Sequence, residues 1–459
     1  MPSPLDVPLP SAASANWQAP TCAHIHGGEA TVKIPGSKSL TNRFLLLAAL
    51  AQSESVVRAP LISRDTRLMM GALEALGASF EIQVSDSGEV ELVRVTPLNP
   101  AAGEVRASID TGLAGNVMRF VPPVAALFSG EISFDGDAHA RKRPMGPVIQ
   151  ALRDLGVTVD DGATGALPFT LRPSGKISAT HVVIDSSGSS QFLSGLLMAG
   201  ARFQQGLTIV HEGTSIPSMP HIEMTLEVLR FVGVEVQQLS PTRWFVPPTD
   251  FAGFDVVVEP DLSNAGPFLA AATLLGSSVT VPHWPLHTTQ GGDLWREILP
   301  RFGAEVSLSE QGLTVRGPQR DAGAQLPGLD YDLAVAGELA PTLAALCALA
   351  GEPSKIRGIA HLRGHETNRL KALTTEFNRL GGVCEETSDG IRLLAPVHHG
   401  GLFHTYDDHR MATAGAIVGL IVPDVVVENI GTTAKTLPQF QHLWETMVHD
   451  LTETQQHGA

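Results

Sequence analysis

Residues 73–82, LEALGASFEI, decide the fold: an apolar helix-like run ends at Gly77, and an alternating strand-like run starts immediately after it. Glycine suits that junction because it adopts positive φ without a Cβ clash as the chain leaves the helix. The pattern returns as LRDLGVTVD (152–160), LRFVGVEVQ (229–237), LPRFGAEVS (299–307) and FNRLGGVCEE (377–386). The shared glycines stand at 77, 156, 233, 303 and 381, with successive spacings of 79, 77, 70 and 78 residues. Any one copy is an ordinary capped helix. Recurrence at this spacing, longer than a solenoid period, predicts a repeated compact α/β unit rather than a stacked array.

The chain has 459 residues, more than one hydrophobic core usually organises, so two domains are expected. With 45 Gly and 32 Pro, frequent turns between short elements are expected. A crossover is placed at 259–265, EPDLSNA, which follows the strand-like FDVVVEP and leads into the apolar GPFLAAATLLG. The first domain is therefore expected at 36–258 and the second at 23–35 plus 259–459, with 1–22 as a disordered leader rich in Ser, Ala and Pro. That leader lacks the basic start and apolar core of a secretory signal. No apolar run reaches membrane-spanning length. The stretch after Met411, which ends at Pro423 and Asp424, reads as buried helix and then strand.

Lys and Arg total 31 against 47 Asp and Glu, a net charge of −16, which argues against nucleic acid or anionic membrane as partner. An anionic ligand must then meet locally concentrated cations. Cys22, Cys347 and Cys384 show neither close pairing nor metal-ligand spacing, which fits a reducing compartment. A cytoplasmic monomer acting on small molecules is the expectation.

Polar clusters interrupt the apolar elements. PGSKSLTNR (35–43) groups Lys38, Ser39 and Arg43 at a helix start, where Ser39 or Thr41 can cap and free backbone N–H groups attract anions. It lacks the GxxxxGK[ST] spacing of an ATP-binding loop. DTGLAGNVMRFVPP (110–123) offers Gly115 for close approach of a ligand, and ARKRPMGP (140–147) offers Arg141, Lys142 and Arg143, with Pro144 expected at helix position N1. SSGSSQFLSGLLMAG (186–200) brings Ser189, Ser190 and Gln191 to another helix start, and GTSIPSMPH adds Ser218. Glu338, the group His365, Glu366 and Arg369, the group Asp408, His409 and Arg410, and Lys435 complete the series. Repeated cationic helix starts in an acidic chain point to a polyanion site. A solvated charge run or a plain cap accounts for each one separately.

Six ordered motifs, PGSKSLTNR, RKRPMGP, SSQFLSGLLMAG, GHETNRL, DDHRMA and AKTLPQF, span residues 35–440 and resemble those of the EPSP synthase family. That resemblance implies an α/β fold of two inverse α/β barrel-like globules, each of three βαβαββ units, joined by a two-crossing hinge and closing around the substrates. The sixth repeat would be degenerate. It implies transfer of the enolpyruvyl group of phosphoenolpyruvate to shikimate 3-phosphate, with C–O cleavage and neither ATP nor a metal required, in the pathway that glyphosate blocks. By the same resemblance Lys38, Ser39, Arg43, Ser189, Ser190, Gln191, Ser218, Glu338 and His365 bind shikimate phosphate. Lys38, Gly115, Arg143, Gln191, Arg369, Arg410 and Lys435 bind phosphoenolpyruvate. Lys38, Glu338 and Glu366 are the expected catalytic residues, Glu338 as base and Glu366 as an acid with a raised pKa.

The chain departs from the common family pattern at several points. Glu338 stands in place of Asp, His365 in place of Lys, and LAGNVMR in place of NAGTAMR, so that Leu113 and Asn116 replace Asn and Thr. Asn116 is expected either to be a surface-facing cap or to shift the helix that follows Gly115. The alternatives are a related transferase acting on UDP-N-acetylglucosamine, which uses a Cys in the loop corresponding to HARKRPMG, and a noncatalytic anion-binding protein. That loop has no Cys, and both carboxylates are present.

Overall fold

A computed structural model of the chain describes residues 16–22, 27–85, 90–319 and 325–457, the side chains of 454–457 excepted. Gly36–Val258 forms one compact unit, and Glu259 onward forms the other together with the segment that ends at Pro35.

The five glycines of the repeat all have positive φ: 105° at Gly77, 88° at Gly156, and 85° at Gly233, Gly303 and Gly381. Each closes its helix with the same pair of bonds. Gly77 N–H donates to Glu74 O (2.9 Å) and Ala78 N–H to Leu73 O (3.1 Å). The pairs Gly156→Arg153 with Val157→Leu152, Gly233→Arg230 with Val234→Leu229, Gly303→Pro300 with Ala304→Leu299, and Gly381→Asn378 with Gly382→Phe377 repeat this. These are Schellman caps, in which otherwise orphaned carbonyls of the last turn find donors and the chain reverses into a strand.

Around each cap the chain builds strand–helix–strand–helix–strand–strand. In the first unit, Glu104–Asp110 and Ser129–Asp135 pair in parallel around helix Gly115–Ala125. Helix Gly146–Asp154 then leads to Thr158–Asp160 and Phe169–Arg172, added antiparallel. His181–Ile184, Leu207–His211, Gln237–Ser240 and Arg243–Val246 repeat this with helices Ser190–Gly200 and Pro220–Phe231. The third copy takes its first strand, Asp255–Val257, from the far end of the unit, where it lies parallel to Ser55–Arg58.

In the second unit, Glu29–Thr31 likewise pairs with Ser278–Pro282, so the N-terminal strand joins residues from beyond 259. The copy that opens at Asp330–Asp332 is complete, whereas Gly401–Phe403 and Val425–Val427 carry only Trp17–Gln18 as a third strand. That sheet is the degenerate sixth copy. It also corrects the expected extent of the leader. Trp17, Ala19 and Cys22 are buried in the core of the second unit, Trp17 Nε1 donates to Glu445 Oε1 (2.9 Å), and Ala19 N–H donates to Val425 O (3.0 Å). Sequence composition hid this because a two-residue strand carries no periodicity. Residues 1–15 of that leader lie outside the described residues.

Each unit has helices at its centre. Lys38–Leu50, Gly115–Ala125 and Ser190–Gly200 in the first, and Leu262–Leu275, Ala340–Ala348 and His409–Ile421 in the second, are buried on nearly every side. A helix apolar all round must lie inside. Strands such as Glu104–Asp110, where only Ile109 is buried, present one face outward. Polar side chains stand at the N-terminal ends of several of these central helices because their first turns break the apolar shell.

Candidate active site

The first unit gathers its candidates at the starts of three central helices. Ser37, rather than Ser39 or Thr41, caps helix Lys38–Leu50, its hydroxyl accepting from Leu40 N–H at 3.5 Å. Thr41 is buried and accepts from Leu61 N–H (3.1 Å). With the cap at Ser37, Lys38 becomes the first helical residue, and its Nζ lies 3.2 Å from Asp65 Oδ2. Arg43 points inward, 1% exposed, and donates to Thr225 Oγ1 (2.9 Å), Ser39 O (3.1 Å) and His221 O (2.9 Å) while lying over the Phe120 ring. All three acceptors are neutral. Burial, with no carboxylate partner among the described residues, pulls its pKa down to about 9, so an anion nearby would relieve an uncompensated charge.

Gly115 opens helix Gly115–Ala125 with no side-chain cap. A Cβ there would lie 2.9 Å from Gln191 Oε1, 3.0 Å from Arg119 Nη1 and 3.1 Å from Arg143 Nη1, so the backbone can approach these three groups only as glycine. Arg143 comes from the loop before helix Gly146–Asp154. Met145 is the N-cap of that helix and Pro147 occupies its first turn, so Pro144 precedes the helix instead of starting it. Arg143 therefore bends back, donating to Leu113 O at 3.2 Å. Arg141 is engaged elsewhere, with Asp135 at the surface (2.7 Å). Ser189 caps helix Ser190–Gly200, accepting from Gln191 N–H, and Gln191 Nε2 donates to Asn116 Oδ1 at 3.0 Å. Ser218 sits on the loop before helix Pro220–Phe231 with φ +53°.

In the second unit the charges interlock. Arg369, 2% exposed, holds Asp408 through Nε (2.8 Å) and Nη2 (3.1 Å), and holds Glu366 through Nη2 (2.9 Å). Burial opposes its charge, but Asp408 and Glu366 together outweigh that and raise its pKa. Lys435 Nζ takes the other oxygen of Glu366 at 2.8 Å. Two cations beside Glu366 favour its ionised form. His365 Nδ1 lies 3.4 Å from Arg369 Nη1 and stays half exposed. Asp408 caps helix His409–Ile421, accepting from Arg410 N–H (2.9 Å). The Arg410 guanidinium makes no hydrogen bond or ion pair among the described residues. Burial and the charge of Arg369 lower its pKa, with Asp261, Glu338 and Asp408 opposing.

Glu338 lies on the turn Gly337–Leu339, its Oε1 2.8 Å from where a Cβ on Gly291 would stand. Beside it is a residue that motif reading missed. His361 is close enough to Glu338 and Arg369 to feel both charges, and its buried Nε2 has no hydrogen-bond partner among the described residues. Asp65 and Asp408 were also passed over as partners of Lys38 and Arg369, since their spacing in sequence gives no sign of the pairing.

A family model for EPSP synthase (3-phosphoshikimate 1-carboxyvinyltransferase) matches residues 25–444. The chain belongs to the EPSP synthase family. A Kocuria rhizophila member of the family, 3-phosphoshikimate 1-carboxyvinyltransferase, is 56% identical over 439 residues, covering 94% of this chain and 96% of that one. EPSP synthase from Acinetobacter baumannii superposes with TM-score 0.74 at 21% identity, covering 94% of this chain and 97% of that one. The enolpyruvyl transferase NikO from Streptomyces tendae does so with TM-score 0.70 at 18% identity, covering 92% and 96%. At such identities the two structures speak for the shared fold.

Proposed function

We infer that the chain performs its family's reaction with the side chains of these two clusters. It transfers the enolpyruvyl group of phosphoenolpyruvate to the 5-hydroxyl of shikimate 3-phosphate and releases inorganic phosphate, a step of the shikimate pathway toward aromatic amino acids. The observation that carries this is the 56% identity to a 3-phosphoshikimate 1-carboxyvinyltransferase across 94% of the chain.

Both substrates carry a carboxylate and a phosphate monoester, the latter holding roughly −1.5 to −2 charge near neutrality. Ser189, Ser190 and Ser218 are assigned to the shikimate phosphate, and Lys38 and Ser39 to the shikimate ring and its carboxylate. Arg43 lies directly beneath Ser39 and adds an uncompensated positive charge. Gly115, Arg143, Gln191, Arg369, Arg410 and Lys435 are assigned to phosphoenolpyruvate, with Lys38 serving both ligands. His365 is assigned as a donor to the shikimate phosphate ester.

Glu338 takes the proton of the attacking hydroxyl, whose oxygen bonds to the substituted carbon of phosphoenolpyruvate while Glu366 gives a proton to the methylene carbon. The tetrahedral intermediate then loses phosphate as its C–O bond breaks, and a methyl proton returns to base, restoring the enol ether. The pairing of Glu366 with Lys435 and Arg369 supports one refinement. A ligand phosphate or carboxylate competes for those cations, and as their charge is taken up, Glu366 becomes able to hold the proton it must deliver.

No helix among the described residues is long and apolar enough to cross a membrane. A cytoplasmic location remains the reading that cysteine usage supports, and a monomer is the proposed state. The direct experiment mixes purified protein with shikimate 3-phosphate and phosphoenolpyruvate and measures phosphate. Release without nucleotide or added metal is expected, and UDP-N-acetylglucosamine should fail as acceptor. No release at any pH would overturn the assignment.

A further inference from the structure

His211 is buried, ends strand Leu207–His211 and belongs to none of the six motifs. It lies beside Ile184, the last residue of the parallel strand His181–Ile184. The loops that leave these two strand ends carry Ser189 and Ser190 on one side and Ser218 on the other. The ring joins them. Ser186 N–H points at His211 Nδ1 (3.1 Å), which also lies 3.3 Å from Ile184 O, and His211 Nε2 donates to Thr214 O across 2.7 Å.

One further hydrogen bond fastens the same pair of loops. Thr214 N–H donates to Ser187 Oγ (2.8 Å), while Ser187 N–H is itself held by Asp185 Oδ1 (2.8 Å). Gly213 packs so closely that a Cβ there would collide with Asp185 Oδ1. Downstream, Ser218 sits at φ +53°, a conformation that costs a non-glycine residue and persists only when its surroundings hold it.

We propose that His211 is a positioning residue for the phosphate ester of the acceptor: it ties the Ser186–Ser190 loop to the Thr214–Ser218 loop and so fixes the spacing of the three serine hydroxyls. This rests on the assignment of Ser189, Ser190 and Ser218 to that phosphate. The ring touches no substrate itself. Its loss therefore weakens recognition of the phosphate and leaves the chemistry at Glu338 and Glu366 in place.

The test compares dissociation constants for shikimate 3-phosphate and for shikimate, whose ratio reads the phosphate contribution alone. In His211→Ala the ratio is expected to shrink by about tenfold, the worth of one or two lost hydrogen bonds. Turnover and the KM for phosphoenolpyruvate should stay within about threefold over the same change. His211→Gln, which retains a donor near the Nε2 position, should recover part of the ratio. Ser187→Ala, which removes the acceptor for Thr214 N–H, should lower it independently and carries the test if His211→Ala does not fold. An unchanged ratio in His211→Gln and Ser187→Ala would overturn the proposal. A native protein that binds shikimate as tightly as its phosphate would instead remove the phosphate assignment, and the proposal with it.

Discussion

Gln191 Nε2 donates to Asn116 Oδ1 across 3.0 Å, which turns Gln191 Oε1 toward the Gly115 backbone, where it is buried without a partner among the described residues. Asn116 is 6% exposed, so it is no surface cap. It fixes which way the Gln191 carboxamide faces.

Asn116→Thr replaces that amide acceptor with a shorter, β-branched hydroxyl and frees Gln191 to turn. Glyphosate is longer than phosphoenolpyruvate and occupies the same pocket in this family, so a mobile Gln191 should favour it more. Tighter glyphosate inhibition is expected, by about 1 to 3 kcal/mol, with a smaller change in the KM for phosphoenolpyruvate. Inhibition constants measured on both forms check this; equal values would show that the amide orientation is irrelevant to discrimination.

Glu338→Gln keeps the shape of the side chain beside Gly291 but cannot take a proton, and Lys38→Ala leaves Asp65 nearly buried without its cation. Turnover in each should fall by about 10²- to 10⁴-fold, the usual contribution of a general acid or base. Circular dichroism should show both variants folded. Near-normal turnover in both would refute the assigned roles.

The repeat was legible because one backbone event, a Schellman cap at Gly77, Gly156, Gly233, Gly303 and Gly381, demands the same residue each time. Cationic helix starts were legible for a similar reason: first turns need polar residues, and those residues stand next to each other in sequence. Long-range pairing was not. Lys38 meets Asp65, 27 residues away, and Arg369 meets Asp408, 39 away, and neither distance has a local signature. His211 and His361 were invisible for the same reason, since a lone histidine at a strand end or on a short turn has no periodicity to mark it.

Tyr406 and Asp407 both have positive φ, 54° and 55°, immediately before Asp408, which holds Arg369 and caps the helix that begins with His409 and Arg410. Tyr406 is kept there by its hydroxyl, which donates to the fully buried Glu376 Oε1 at 2.6 Å, while Glu376 Oε2 accepts from His404 N–H (3.0 Å). Tyr406→Phe removes that bond and leaves Glu376 Oε1 the long contact from Arg379 Nη2 (3.5 Å), at a cost of about 1 to 3 kcal/mol, the range for a hydrogen bond to a carboxylate. The KM for phosphoenolpyruvate should rise as Arg410 loses its fixed position. Denaturant unfolding and steady-state kinetics test the two halves, and an unchanged midpoint would show that the loop holds without the hydroxyl.

His361 makes stability depend on pH in a direction that can be worked out. Burial lowers its pKa below the ordinary 6.5; the charge of Glu338 pulls the other way, and that of Arg369 adds to the lowering. The unfolded chain therefore takes up a proton at this site before the folded chain does. Between the unfolded and folded values the unfolded state binds more protons, so stability is fully present above about pH 6.5 and is lost as pH falls below it. The contribution is read as a difference between the native protein and a variant without the titrating group. His361→Gln keeps a polar side chain without a titrating group. The loss of unfolding free energy between pH 7.5 and pH 5.5 should be smaller in that variant than in the native protein. An equal loss in both would mean that His361 titrates alike in the folded and unfolded chains, contrary to its burial beside Arg369.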